Sequence, residues 1–213
     1  MGQYNTGPYV DQNIWSSCTP SSQTLDANSP NDFQIVANYP AGNTGVCTYP
    51  NTGDEFSGTT VDSYNQFTSS FSETFPHNAQ TTAWSMYDLW FNNWANEVMI
   101  QYDFSNNGPC TSVATAQFGG TNGVPVQTWH LCDFGSTLDW KLGASDPASS
   151  ESSGSIDIKA MIQWLENNAP AGSTTTYLPA NTEWTAISDG WEICSTGGQN
   201  ETFSQSGFTV TAN

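Results

Sequence analysis

Positive charge is almost missing from this 213-residue chain, which has two lysines, Lys141 and Lys159, no arginine, and 20 acidic residues, for a formal net charge of -18. Phosphate backbones and anionic membranes recruit clusters of Lys and Arg, so nucleic acid and membrane surfaces are not expected partners. Charged residues make up only 10% of the chain, which leaves solubility largely to Ser, Thr, Asn, Gln and Gly and suits a neutral polymer as ligand. Histidine is equally scarce, at His77 and His130, and Cys18, Cys47, Cys110, Cys132 and Cys194 contain no C-x-x-C pair. A zinc site is therefore not expected, and metal binding in general is not expected. The cysteines fit a disulfide-permissive, secreted and extracellular protein. No apolar run approaches the roughly 20 residues that span a bilayer. The Met1-Gly2 start lacks a basic and then apolar leader, so the expectation is that a secretion signal has been removed. There is no internal repeat and no long Pro/Thr/Ser tail, and residues 1–213 read as one domain, a size that all-β folds commonly reach in a single unit.

What fills the chain is a succession of short segments rich in Thr, Val, Ile, Tyr, Phe and Trp, separated by Gly, Asn, Pro and Ser clusters. That is the pattern of a β-sandwich or barrel. Strands are predicted over Tyr9–Trp15, Asp32–Asn38, Thr81–Phe91, Glu97–Phe104, Val113–Phe118, Val124–Leu131, Ser136–Lys141, Glu183–Cys194 and Thr202–Val210. One segment, Ser155–Glu166, instead places Ile158, Met161, Ile162 and Leu165 at helical spacing, with Ser155 as N-cap, Asp157 in the first turn and Pro170 beyond the end. It predicts one amphipathic helix packed on a sheet. Ala144 to Gly154, dense in Ser, Asp, Ala and Pro, reads as a loop within the fold.

Two acidic strand segments carry the chemistry. In Asn96-Glu97-Val98-Met99-Ile100-Gln101, alternation puts Glu97, Met99 and Gln101 on one face and Val98, Ile100 and Tyr102 on the other. In Asp189-Gly190-Trp191-Glu192-Ile193-Cys194, Glu192 and Cys194 share a face opposite Trp191 and Ile193. The plain alternative is that each glutamate is the solvated member of a half-buried strand. A pair of carboxyl groups is, however, what hydrolysis of a glycosidic bond needs. Nine tryptophans point the same way, because sugar rings lay apolar C–H faces on aromatic planes while their hydroxyls seek amides and carboxylates. Tyr9, Asp11, Asn13 and Trp15 combine both kinds of group on one strand face.

These segments resemble a known family. Tyr9-Val10-Asp11-Gln12-Asn13-Ile14-Trp15, Ser85-Met86-Tyr87-Asp88-Leu89-Trp90-Phe91, Asn96-Glu97-Val98-Met99-Ile100 and Gly190-Trp191-Glu192-Ile193 follow the order and spacing of glycoside hydrolase family 12, the compact endo-β-1,4-glucanases, on their bacterial, actinomycete-like branch. The resemblance implies an all-β jelly-roll sandwich of two curved antiparallel sheets with one packed helix, a concave substrate cleft, and retaining hydrolysis of a β-glucan polysaccharide. Because that chemistry needs only two carboxyls and water, a monomer without cofactor is expected. The resemblance implies Glu97 as nucleophile, Glu192 as general acid and base, and Asp88 as a group close to Glu97 that tunes it. Asn13 and Trp15 would hold and stack a glucose on the non-reducing side, and Met99 would line the floor under the reacting sugar. It further implies a Cys18–Cys47 bridge, with Cys110–Cys132 as a second pair and Cys194 left as an odd thiol. Where many members continue M-I-W, this chain has Met99-Ile100-Gln101, and the loop at Asn107-Gly108-Pro109-Cys110 also departs from the common pattern. Two other readings stand beside the endoglucanase: a non-catalytic jelly-roll carbohydrate-binding module or lectin, which needs aromatics and amides but no opposed glutamates, and a related jelly-roll xylanase, whose characteristic Pro-rich thumb is not found here. Cellulose, mixed-linkage glucan and xyloglucan are not separable from the sequence.

Overall fold

The computed structural model describes residues 8–14, 18, 21–56, 58–106, 110–143 and 151–213. Within them the chain forms thirteen strands and one α-helix: β1 Tyr9–Asp11, β2 Ser22–Ser29, β3 Asp32–Asn38, β4 Asn51–Glu55, β5 Phe67–Thr74, β6 Thr81–Phe91, β7 Asn96–Ser105, β8 Ser112–Phe118, β9 Gln127–Asp133, β10 Thr137–Leu142, β11 Ser153–Ile156, α1 Ile158–Asn167, β12 Trp184–Thr196 and β13 Glu201–Ala212. An eight-stranded sheet runs β1-β4-β12-β6-β7-β10-β9-β8 and a five-stranded sheet runs β11-β5-β13-β3-β2. All pairings are antiparallel except β7 with β10, which run parallel, with Thr137 opposite Glu97 and Asp139 opposite Met99. The fold is the mostly β, two-sheet jelly roll with one helix that was expected, with that one parallel pair as a departure from a purely antiparallel arrangement.

Alternation decides which face of the large sheet is buried. Tyr87 and Leu89 of β6, Val98, Ile100 and Tyr102 of β7, Leu131 of β9, Trp140 of β10 and Ile187 of β12 all point inward and are almost wholly inaccessible. They pack with Phe67 and Phe71 of β5 and Phe208 of β13 into one core cluster. A second cluster joins Phe33, Ile35 and Ala37 of β3 to Trp191 and Ile193 of β12 and Phe203 of β13. The helix adds Ile158, Met161, Ile162 and Leu165 to the first cluster, the stripe its spacing predicts. Its cap is Asp157, whose Oδ1 accepts from the Ala160 N–H at 3.1 Å, and not Ser155, which lies in β11. The cap shifts by two residues because the strand continues to Ile156, and the first free helical N–H groups then face Asp157.

Other boundaries move for similar reasons. The segment predicted as one strand from Tyr9 to Trp15 pairs with β4 only over Tyr9–Asp11, followed by a single bridge from Ile14 to Thr48, while Trp15 lies outside the described residues. Val124 sits in a turn, its carbonyl accepting from Gly120, and the strand begins at Gln127. The far end of the predicted Ala144–Gly154 loop, Ser153 and Gly154, pairs with Ser72 and Phe71 of β5; residues 144–150 lie outside the described residues. Cys18–Cys47 and Cys110–Cys132 are bridged and Cys194 is free and buried.

A polar network crosses the interior between the sheets. Glu73 of β5 accepts at Oε1 from Ser85 Oγ (2.5 Å) and at Oε2 from Trp191 Nε1 (2.7 Å) and Tyr102 OH (3.3 Å). The Tyr102 hydroxyl also meets Asp189 Oδ1 at 2.7 Å, and Gln205 Nε2 of β13 donates to Asp189 Oδ2 at 2.7 Å. Burial pushes both carboxyls up, Asp189 to about 7, and the Asp189 charge further raises Glu73.

Candidate active site

The opposite face of the eight-stranded sheet is open in part, with Trp84, Asp88, Trp90, Glu97, Met99 and Glu192 partly exposed and Gln101, Asp139 and Lys141 buried, and its cross-strand rows assemble the candidate residues. At the start of β7, Glu97 lies between Trp90 of β6 and Thr137 of β10. One row along, Ser188, Asp88, Met99 and Asp139 follow one another across β12, β6, β7 and β10. Glu192 lies further along β12, opposite Trp84 of β6. A register shift between Ser85 and Met86 leaves Tyr102 as the extra residue of a bulge in β7; bulges bend and re-aim strands.

Hydrogen bonds orient each carboxyl group. Thr137 Oγ1 donates to Glu97 Oε2, Trp84 Nε1 donates to Glu192 Oε2 at 2.5 Å, and Trp90 Nε1 donates to Asp88 Oδ2 at 2.9 Å. Asp88 Oδ1 is buried and has no hydrogen-bond partner. Gln101 Nε2 donates to Asp139 Oδ2 at 2.8 Å, and Lys141, next but one along β10, sits with its ammonium 5.7 Å from the Phe104 ring centre.

Crowding of acids in low dielectric sets their protonation. Burial raises Glu192 to about 7, against the pull of the Trp84 hydrogen bond, and the Glu97 charge adds to the rise. Burial raises Asp88 to about 8, helped by the charges of Glu97 and Glu192 and opposed by Trp90. Asp139 also rises to about 8 through burial, with Lys141 opposing and Glu192 and Glu97 contributing. Glu97 thus interacts electrostatically with Glu192, Asp88 and Asp139 together, so the four carboxyls form one coupled cluster.

Beside it a groove enclosing about 370 Å³ is lined by Tyr9, Asp11, Asn13, Asp88, Trp90 and Trp94, among others. The structure therefore brings Glu97, Glu192, Asp88 and Met99 to one face and places Asn13 on the adjoining groove wall, in line with the expected Tyr9, Asp11 and Asn13 stripe. Trp15, the remaining expected substrate contact, lies outside the described residues. Sequence reading missed Trp84, Thr137, Asp139 and Trp94. The first three occupy positions that only the cross-strand register reveals; the Asn92-Asn93 pair before Trp94 carries a turn signal that marks the fourth.

No protein-family profile and no curated protein matches the chain. Solved structures do. The xyloglucanase domain of NopAA, a type three effector from Sinorhizobium fredii in complex with cellobiose, is similar at a TM-score of 0.76 and 19% identity, covering 99% of this chain and 96% of that one. The native family 12 xyloglucanase from Bacillus licheniformis is similar at 0.75 and 20% identity, covering 100% and 96%. The catalytic domain of Humicola grisea Cel12A, in complex with a soaked thio cellotetraose, is similar at 0.74 and 18% identity, covering 99% and 95%. At these identities the likeness is one of architecture over the full length of the chain: it has the fold of the family 12 glycoside hydrolases.

Proposed function

We propose that residues 1–213 form a secreted, retaining endo-β-1,4-glucanase domain that hydrolyses internal bonds of a β-glucan chain, with Glu97 as nucleophile and Glu192 as general acid and base. The observation that carries this reading is that the strand register brings Glu97 and Glu192 to one face of the sheet beside an aromatic and amide-lined groove; burial, with the Glu97 charge adding to it, raises Glu192 to about 7. The shared fold with the family 12 xyloglucanase from Bacillus licheniformis and with Humicola grisea Cel12A, solved with a thio cellotetraose, supports it.

In the first step the Glu97 carboxylate attacks the anomeric carbon while protonated Glu192 gives its proton to the departing glycosidic oxygen, leaving a glycosyl ester on Glu97. Esterification removes the Glu97 charge that raises Glu192, so Glu192 becomes a stronger acid and remains as the carboxylate that takes a proton from the attacking water. The Thr137 hydroxyl holds one oxygen of Glu97. Asp88, raised to about 8, keeps its proton at neutral pH, which avoids a third bare carboxylate beside the nucleophile.

The test is reducing-sugar release from carboxymethylcellulose, mixed-linkage glucan, xyloglucan and xylan by wild type, Glu97→Gln and Glu192→Gln. Release from glucans is expected to fall at least about 1,000-fold in Glu97→Gln. An aryl glycoside with a good leaving group should still glycosylate the Glu192 variant and not the Glu97 variant. Wild-type turnover in Glu97→Gln refutes the assignment, release from xylan alone favours a xylanase, and binding without release favours a carbohydrate-binding module.

A further inference from the structure

The turn between β6 and β7 has a costly geometry. Asn92, Asn93 and Trp94 take φ values of 52°, 56° and 68° in succession. Asparagine tolerates the left-handed region; a bulky residue such as tryptophan seldom adopts it, and such conformations persist only where surrounding bonds enforce them. Here they do. Asn92 N–H donates to the Glu183 carbonyl at 2.8 Å, and Asn92 Oδ1 accepts from Glu183 N–H at 3.0 Å. Asn92 Nδ2 donates to Asn96 Oδ1 at 2.8 Å. Asn93 N–H donates to Thr185 Oγ1 at 2.9 Å and Ala95 N–H to the Phe91 carbonyl at 3.0 Å. None of these bonds uses the Trp94 side chain, which remains 43% exposed.

That indole stands against Trp90, ring centres 5.5 Å apart, and both line the groove with Tyr9, Asp11, Asn13 and Asp88. Trp90 is held in place by its bond to Asp88, and Trp94 extends the aromatic wall toward solvent. An exposed aromatic plane in one groove with carboxylate and amide groups matches the two-sided chemistry of a pyranose, with C–H bonds on its faces and hydroxyls around its rim.

We infer that Trp94 is a sugar-stacking platform of this groove, gripping one pyranose ring of a glucan next to the Asp88 side of the reacting centre, and that the strained turn exists to present it. The inference rests on the glucan-hydrolase reading and adds a specificity-determining residue to it. The ring belongs either to the β-1,4 backbone or to a xylosyl branch.

The experiment uses calorimetric titration of cellotetraose and of a xylosylated cellotetraose into the Glu97→Gln protein, with Trp94 intact or changed to Gly, Asn or Phe, alongside melting temperatures. Trp94→Gly and Trp94→Asn relieve the left-handed strain, so their melting temperatures should be unchanged or higher while affinity falls about 3- to 10-fold, and Trp94→Phe should keep most of it. A loss for both ligands places the ring in the backbone; a loss confined to the xylosylated ligand places it in the branch. Unchanged affinity for both ligands in a folded Gly or Asn variant overturns the proposal, as does a fall in melting temperature with no change in affinity, which marks Trp94 as mere cover for Trp90. If the Trp94-intact protein binds neither ligand and wild type hydrolyses no glucan, the glucan-hydrolase reading itself fails and the inference falls with it.

Discussion

Replacing Asp189 by Asn should flatten the pH dependence of stability. Asp189 is wholly buried between the sheets, and burial raises its carboxyl from 3.8 to about 7 against the opposing bonds from Tyr102 and Gln205. Between about pH 4 and 7 the folded state therefore holds a proton that the unfolded chain releases, and stability falls as pH rises through that window. One group with a shift of about three units changes stability by about 4 kcal/mol in full, or about 1.4 kcal/mol per pH unit. The amide introduced by Asp189→Asn cannot ionise. Its oxygen still accepts from Tyr102, and rotation of the Gln205 amide brings Gln205 Oε1, buried and unpartnered in the native protein, to the new amide N–H. Asp88, Asp139 and Glu192 are also raised and share the sign, but they are present in both proteins and leave the difference curve; Glu73, raised by burial and further by the Asp189 charge, loses that second contribution in the variant and adds to the difference with the same sign. Urea unfolding followed by tryptophan fluorescence at pH 5, 6, 7 and 8 should show the two proteins within about 1 kcal/mol at pH 5. The variant should gain on wild type by about 1.4 kcal/mol per unit up to pH 7 and then run parallel. Parallel curves across the whole range, or a uniform loss of about 3 kcal/mol in the variant, would show instead that Asp189 is held as an anion in the folded protein.

Two further predictions concern the open face. Trp84→Phe removes the hydrogen bond that pulls Glu192 down, so the alkaline limb of the kcat/KM profile on mixed-linkage glucan should move up by about one pH unit; an unmoved limb would separate Trp84 from the protonation of Glu192. Gly190→Ala would place a Cβ 2.1 Å from the Pro50 carbonyl oxygen and 2.7 Å from Asn51 Cα, both backbone atoms of the neighbouring chain segment, and should destabilise by about 2–3 kcal/mol in urea unfolding; a change below about 0.5 kcal/mol would mean that β4 and β12 separate freely.

Legibility in the sequence followed the contrast between the two faces of each strand. Asp32–Asn38 and Thr81–Phe91 were placed to the residue because alternation there is strong, with Phe33, Ile35 and Ala37 buried between exposed or partly exposed neighbours. The carboxylates Glu97 and Glu192 stood out by the same contrast. Four strands gave no such signal. β2 lies at a sheet edge and is mostly exposed, β4 reads Asn-Thr-Gly-Asp-Glu and is buried by its neighbours and not by its own hydrophobicity, β11 is a four-residue edge strand, Ser-Gly-Ser-Ile, with one apolar residue, and β5 is Ser- and Thr-rich, with Phe67 and Phe71 four residues apart. The partners of the carboxyls were hidden for a different reason. Trp84 is 108 residues from Glu192 and Thr137 is 40 from Glu97, and spacing within a segment carries no information about register between distant strands.

The polar character of β5 has its own explanation in the geometry of the neighbouring sheet. Ser85 follows Trp84 on β6, Trp191 precedes Glu192 on β12, and adjacent residues of a strand point to opposite sides. The Glu73 carboxyl takes its hydrogen bonds from Ser85 and Trp191, the immediate neighbours of the two residues that meet on the open face. Glu73 thus acts as a rivet driven through from the back layer: β6 cannot slip against β12 without tearing both bonds, and the alignment of Trp84 with Glu192 is indexed to a strand on the far side of the core.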